Sequence, residues 1–182
     1  MPTWLIINGS PRPNGQSARV VKLLSLLISQ NHPDVELREF TVATCDVLGC
    51  NGCDYCKTDD ECIMSDDMAE LIEDLEQAQR VLLVTPIYFA GLPSQTKAVL
   101  DRLQPLYWRY RECIESGELL PPKRPLSLFV VGDGGDPHGY APLEASVTSA
   151  MAIAGFSLDE VVPLIGLSRI SAKHLGSWGE ES

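Results

Sequence analysis

Five short, almost continuously apolar runs alternate with helical patterns along this chain, and that alternation restricts the fold more than any other feature. The runs are Trp4–Ile7, Val35–Phe40, Val81–Val84, Leu126–Val131 and Phe156–Val162. Segments this short and rich in Val, Ile and Leu read as strands buried on both faces. After the first run, Val20, Val21, Leu24, Leu27 and Ile28 share one face of a helix over Ser17–Ile28. Met68, Leu71, Ile72 and Leu75 repeat that spacing behind Ser65-Asp66-Asp67, which predicts an N-cap and an acidic first turn. A third helix is predicted from Ser94, kinked or ended near Gln104 by Pro105; a fourth carries Pro142 in its first turn and stops at Gly155. Five strands and four helices in this order predict a parallel sheet with right-handed crossovers and helices on both faces. In such a sheet the ligand site lies outside the strand carboxyl ends, at the switch between the first and third strands. The loops that follow Ile7, Val84 and Val131 therefore matter most.

A chain of 182 residues, 45% of them hydrophobic, is long enough for one core and predicts one domain over 1–182. Its formal net charge of -11, with no basic run to offset it, excludes nucleic acid as a partner. The first residues lack a charged region followed by an apolar stretch, and no segment reaches the roughly 20 apolar residues that span a bilayer. The expectation is a cytoplasmic protein with no membrane partner. The tail from about Gly166 has no clear period and reads as loop or subunit contact.

The first loop, Asn8-Gly9-Ser10-Pro11-Arg12-Pro13-Asn14-Gly15-Gln16-Ser17, runs straight into the first helix. Hydroxyls, an arginine and backbone N–H groups converge there on the positive helix end, which suits a phosphate monoester. The loop lacks the glycine spacing of a dinucleotide fingerprint and the Lys-Ser/Thr ending of a P-loop. The plainer alternative is an ordinary polar turn. The loop after the third strand, Thr85-Pro86-Ile87-Tyr88-Phe89-Ala90-Gly91-Leu92-Pro93, supplies an apolar wall and backbone amides of the kind a flat ring system wants, although Tyr88 and Phe89 also read as packing residues. The third loop, Gly132-Asp133-Gly134-Gly135-Asp136-Pro137-His138-Gly139, is flexible enough to close over a ligand or to serve only as a connection, with His138 an exposed loop residue.

Gly9-Ser10-Pro11-Arg12, Gly15-Gln16-Ser17 and the stretch from Pro86-Ile87-Tyr88 through Ser94, Lys97, Asp101 and Arg102 resemble the NADPH-dependent FMN reductase family, and within it the iron–sulfur flavoprotein branch. The likeness runs from about Trp4 to Val162. It implies a flavodoxin-like, doubly wound sheet of strand order 2-1-3-4-5 and a non-covalent FMN. Ser10, Arg12, Gln16 and Ser17 would then lie at its phosphate, with Gln16 standing where relatives commonly have Asn. Pro86, Ile87, Tyr88, Phe89 and Gly91 would lie beside the ring, joined by Gly132, Gly134 and Gly135 of the third loop. The likeness further implies a homodimer or homotetramer. Lys97 and Asp101, one helical turn apart, read as a surface ion pair.

Five of the six cysteines fall between Cys45 and Cys62, too tight a grouping for random core positions. Cys50, Cys53, Cys56 and Cys62 have the spacing C-x2-C-x2-C-x5-C within an insertion at about 45–62, so that three thiolates of one compact turn can meet one small metal centre and the fourth can reach back to it. By resemblance this implies a [4Fe–4S] cluster. Zinc and metal-free thiols remain the alternatives. Cys45 and Cys113 fall outside the pattern and are expected not to be ligands. Asp46, Asp54, Asp59, Asp60, Glu61, Asp66 and Asp67 surround the segment and would repel an acidic protein donor. The expected function is FMN-dependent electron transfer from NAD(P)H or a one-electron donor to a small acceptor such as a flavin, a quinone or oxygen. The other readings are a flavodoxin-like carrier without turnover of its own and a metal-binding regulatory domain.

Overall fold

The computed structural model describes residues 1–179. In chain order it contains β1 (Thr3–Asn8), α1 (Gln16–Asn31), β2 (Glu36–Thr41), the one-turn α2 (Cys56–Asp59), α3 (Met68–Gln77), β3 (Arg80–Pro86), α4 (Ser94–Asp101), α5 (Gln104–Ser116), β4 (Arg124–Gly132), α6 (Ala141–Ile153) and β5 (Phe156–Ile165). The strands form one parallel sheet in the order β2-β1-β3-β4-β5, as the resemblance implies. β1 and β3 are the neighbours from which the chain departs in opposite directions.

Alternate residues of the strands serve two cores. Leu5, Ile7, Val81, Leu83, Leu128 and Val130 face α3 to α6. Ile6, Leu82, Val84, Phe129 and Val131 face α1, which contributes Val20, Val21, Leu24 and Ile28. β2 departs from the expected apolar strand, for only Phe40 is buried and the strand forms a sheet edge. Its Arg38 turns outward to pair with Asp74 on α3 at 2.6 Å.

The predicted third helix is two helices. Pro105 lacks the N–H that would bond to the carbonyl of Asp101, and it disfavours helical geometry at the residue before it. α4 therefore stops at Asp101, and α5 restarts with Pro105 in its first turn, where no N–H is needed. Arg102 and Leu103 form the joint.

Beyond β5 the tail folds back on its own chain. Ile170 and Leu175 are fully buried in the α1-side core, and Trp178 meets Trp4 edge-on with ring centroids 5.9 Å apart. Two short 3-10 segments, Ala172–His174 and Gly176–Gly179, shape this stretch: Ile170 precedes the first, Leu175 joins the two, and Trp178 sits in the second. The expected loop or subunit contact is thus, through Gly179, a cover for the sheet face that α1 alone does not fill; residues 180–182 lie outside the described residues. Removing a buried leucine side chain costs about 2–4 kcal/mol. Leu175→Ala should lower stability by that amount in urea unfolding monitored by circular dichroism, whereas a loss under about 1 kcal/mol would show that the tail contributes little to the core.

Candidate functional site

The loop between β1 and α1 is tied to the sheet and to α4. The Gly9 N–H donates to the Val84 carbonyl at 2.7 Å, extending the β1–β3 ladder by one residue. The buried hydroxyl of Thr96 on α4 donates to the Gly9 carbonyl. A Cβ at Gly9 would stand 3.1 Å from both Cβ and Oγ1 of Thr85 and 3.0 Å from Oγ1 of Thr96, so this close approach favours glycine. The Ser10 hydroxyl accepts from the Arg12 N–H at 3.1 Å and lies 3.2 Å from the Arg12 carbonyl, which curls the loop over the start of α1. α1 begins at Gln16 with neither a capping side chain nor an acidic residue in its first turn. Its first N–H groups are therefore left for another acceptor. Arg12 is exposed, and among the described residues no hydrogen bond or ion pair engages its guanidinium. Ser17 is buried, and Gln16 donates to the Ser168 carbonyl at 3.3 Å.

The loop after β3 makes a tight turn. The Tyr88 N–H donates to the Gly91 carbonyl at 2.9 Å, the Gly91 N–H returns a bond at 3.0 Å, and Phe89 and Ala90 between them have φ of 50° and 59°. Both are non-glycine residues in the left-handed region. This turn holds the Phe89 ring fully in solvent and leaves Tyr88 half-exposed. Ile87, Phe89, Gly134, Gly135, Tyr140 and Ile165 are among the residues that line a cavity of about 600 Å³, within the size range of cofactor sites. Pro86, Tyr88, Gly91 and Gly132 are chain neighbours of its lining residues and do not line it; Ser10, Arg12, Gln16 and Ser17, in the loop and helix after β1, do not line it either. Gly132 has another role: a Cβ there would collide with Cγ2 of Ile87, so the glycine lets Ile87 cross the end of β4 and reach the cavity.

The four cysteines of the compact motif line a second cavity, of about 290 Å³, together with Arg102 and Trp108. Cys56 is buried, Cys62 half-buried, and Cys50 and Cys53 exposed. Burial pushes the Cys56 thiol up, and the neighbouring Cys62, Cys50 and Cys53 add to the effect, so the four sulfurs act on one another. Among the described residues no group of three or more His, Cys, Asp or Glu is drawn together closely enough to hold a metal ion. Cys45 instead packs against the α3-side core, and Cys113 lies on α5.

The cysteine segment is fastened at both ends. At its tip, Lys57 Nζ lies 5.0 Å from the centroid of the Trp108 ring, and Arg109 donates to the Asp60 carbonyl at 2.9 Å. At its base, Arg102 grips Asp66 through Nη1–Oδ2 at 2.6 Å and Nη2–Oδ1 at 2.9 Å, and donates to the Leu48 carbonyl at 2.8 Å. Asp66 also accepts from the backbone N–H groups of Met68 and Leu48. The predicted N-cap is not formed: Asp67 stands at the N-cap position with no side-chain capping bond and accepts instead from the Asp46 N–H at 2.8 Å, and the acidic residue of the first turn is Glu70, so Ser65-Asp66-Asp67 serves mainly to anchor the cysteine segment. Lys97 and Asp101 do form the expected surface pair.

A family profile described as NADPH-dependent FMN reductase matches residues 2–155. The chain belongs to that family. It is 32% identical over 100 residues to an iron–sulfur flavoprotein of Methanocaldococcus jannaschii, covering 55% of this chain and 51% of that protein. It is 37% identical over 100 residues to an iron–sulfur flavoprotein of Archaeoglobus fulgidus, covering 55% of this chain and 50% of that protein. The chain thus spans about half the length of the curated relatives it matches. Among solved structures, it superposes on an azoreductase from Bacillus anthracis with a TM-score of 0.70 at 13% identity, covering 100% of this chain and 96% of that one. An apo NADH:FMN oxidoreductase aligns with a TM-score of 0.66 at 14% identity, covering 100% and 86%. These two share the family's fold.

Sequence reasoning missed Thr85, Thr96 and the Arg102–Asp66 pair. No local spacing marks Thr96, which reaches the Gly9 carbonyl from α4, or Thr85, whose hydroxyl donates to the adjacent Pro86 carbonyl, and Asp66 and Arg102 are 36 residues apart. Burial pushes the Asp66 carboxyl up, but the Arg102 guanidinium and the amides of Met68 and Leu48 outweigh it and hold the group below the usual carboxylate range. A depressed folded-state pKa contributes stability that is present above the unfolded value, near 3.9, and is lost as pH falls through the folded one. The stability advantage of wild type over Asp66→Asn should thus be constant from pH 7 to about 5 and shrink below about 4. Denaturant titrations across that range measure it, and a gap unchanged at pH 3 would remove Asp66 from the acid response.

Proposed function

We propose that this chain binds FMN across the carboxyl ends of β1, β3 and β4 and works as an NAD(P)H-dependent oxidoreductase that reduces a small acceptor such as a flavin, a quinone or oxygen. The observation that carries the reading is the uncapped start of α1. It has free N–H groups, no acidic residue, and Ser10, Arg12 and Ser17 around it, while a ring-sized cavity opens among the loops that follow β3 and β4. This donor set fits one phosphate dianion.

Ser10 and Ser17 would offer hydroxyls, Arg12 a charge-assisted bond, and Gln16 backbone contacts, its side chain being held by Ser168. Ile87, Phe89, Gly134 and Gly135 would bound the ring, with Pro86, Tyr88, Gly91 and Gly132 supporting them from behind. The chemistry supplied by bound FMN is hydride uptake and the release of one or two electrons. The protein contributes an apolar wall that excludes water and backbone amides that orient the ring's polar edge. Assembly as a homodimer or homotetramer is part of the proposal, supported by the fully exposed Phe89 at the cavity rim, which a second subunit would cover. A cytoplasmic location is part of it too, because the cysteines concentrate in one loop instead of spreading as a disulfide framework.

We further propose that Cys50, Cys53, Cys56 and Cys62 hold a [4Fe–4S] cluster. Four soft thiols on one cavity fit such a centre, and zinc is the competing metal. The cluster's contribution would be one-electron exchange.

Anaerobically purified protein should show flavin absorbance and about four iron and four sulfide per chain. Cys53→Ser should lose the iron while Cys45→Ser keeps it. Zinc in its place, or neither metal after reconstitution, would overturn the cluster. Arg12→Ala should weaken FMN binding by about 1.5–3 kcal/mol. FMN should bind more tightly than FAD, because the loop offers one compact anion site. An unchanged dissociation constant for the Arg12 variant, or equal affinity for both flavins, would refute the assigned phosphate site, and the absence of steady NAD(P)H oxidation would favour a carrier over an enzyme.

A further inference from the structure

Arg102 heads the fully buried side chains by volume, with 1% of its side chain exposed against 6% for its partner Asp66. Two of its three nitrogens are used: Nη1 and Nη2 grip the carboxylate, and Nη1 also reaches the Leu48 carbonyl. Its Nε is the one buried side-chain nitrogen or oxygen among the described residues that has no hydrogen-bond partner. Buried donors of charged groups are rarely left unpaired, and such a case points to an acceptor that belongs to the working molecule.

The surroundings indicate which acceptor. Arg102 forms part of the wall of the cysteine cavity, where it is the only cation among the lining residues, against Asp54, Asp101 and the four cysteines. Burial opposes its charge, but Asp66 chiefly, and Cys62 with it, hold the guanidinium protonated. A role confined to fixing the loop would be met in full by the fork onto Asp66 and the bond to Leu48. Nothing in that role uses Nε or needs the charge turned toward thiols.

We propose that Arg102 is a positioning residue for the metal–sulfur centre: its Nε–H is kept for a sulfur at Cys62, and its charge favours the more negative, reduced form of that centre. The inference rests on the [4Fe–4S] reading given above. Donors to cluster sulfurs and nearby positive charge raise the reduction potential, because both stabilise the added electron. The surrounding carboxylates act in the opposite sense, and Arg102 is placed to offset them.

The test uses full-length protein, reconstituted without oxygen, with iron, sulfide and FMN counted per chain and the cluster's one-electron midpoint potential read by dithionite titration under electron paramagnetic resonance. Two variants are compared with wild type. Arg102→Lys keeps the charge opposite Asp66 and loses the Nε donor. The double variant Arg102→Met with Asp66→Asn removes both charges, so that no buried carboxylate is stranded, while the asparagine oxygen still accepts from Met68. The expected result is wild-type FMN content in both, a midpoint potential shifted to more negative values in Arg102→Lys, and a larger negative shift in the double variant. Loss of iron from either variant with FMN retained also supports the role, since Cys62 would then need the arginine to reach the centre. Wild-type potential and iron content in both variants would overturn it. So would joint loss of FMN, iron and folded structure in both, which would assign the pair to stability alone. A wild-type protein that takes up no iron overturns the cluster reading itself, an outcome distinct from iron-loaded variants that behave as wild type.

Discussion

The pairing of β1 with β3 is the constraint from which the rest of the molecule follows. From these two central strands the chain leaves in opposite directions, to β2 on one side and to β4 and β5 on the other, so no crossover covers their carboxyl ends. Their ladder ends with the Gly9 N–H on Val84, and the next residues must turn away over the sheet edge. The turn places Ser10, Arg12 and the start of α1 on one side of the crevice and the Ile87–Leu92 loop on the other. The phosphate-loop residues and the Ile87–Leu92 loop proposed for flavin binding hang from this junction, while Gly132, Gly134 and Gly135 come from the end of β4. The two threonines that brace it, Thr85 and Thr96, are buried and serve the backbone alone.

The cysteine segment depends on a different kind of contact. It holds no strand and only the single turn α2, so side chains from elsewhere decide its shape. An aromatic–cation contact and an arginine bond to a backbone carbonyl secure the tip, and a buried ion pair secures the base. A fully desolvated pair of this kind is weak as a net source of stability but specifies one arrangement strongly, because separating it strands a charge. That is the property wanted beneath a loop whose cysteines, under the cluster proposal, must converge from thirteen residues of chain, Cys50 to Cys62.

What the sequence made legible was periodic or local. The five strands and the α1 and α3 faces were readable because burial on both sides of a parallel sheet imposes apolar runs, and burial on one side of a helix imposes its spacing. The phosphate loop was readable because its residues are consecutive. The α4–α5 joint was half-readable: Pro105 marked the break, but the helix that follows has few fully buried residues and so a weak apolar stripe. β2 was placed at the sheet edge by the strand order but was expected to be apolar on both faces, although Glu36, Arg38 and Glu39 already carried the polar signature of an edge. The tail was illegible because Ile170, Leu175 and Trp178 plug the α1-side core one at a time, with no period. Arg102 was visible only as part of a family-like stretch, since nothing in its neighbours told of a partner 36 residues earlier.

The turn at Phe89-Ala90 carries a cost that the fold did not have to bear. Two successive residues with positive φ between a mutually bonded Tyr88 and Gly91 are the setting in which Asn-Gly would sit relaxed. Side chains with a Cβ are strained there by about 1–3 kcal/mol each. Selection for stability alone would have replaced them, and selection for solubility would have removed a bare phenyl ring from water. Both pressures have been resisted at the same two positions. At the rim of the cavity proposed for flavin, the chain thus gives up stability for the shape and apolarity of a surface, and a thermostabilised variant of this protein would be expected to lose its edge there first.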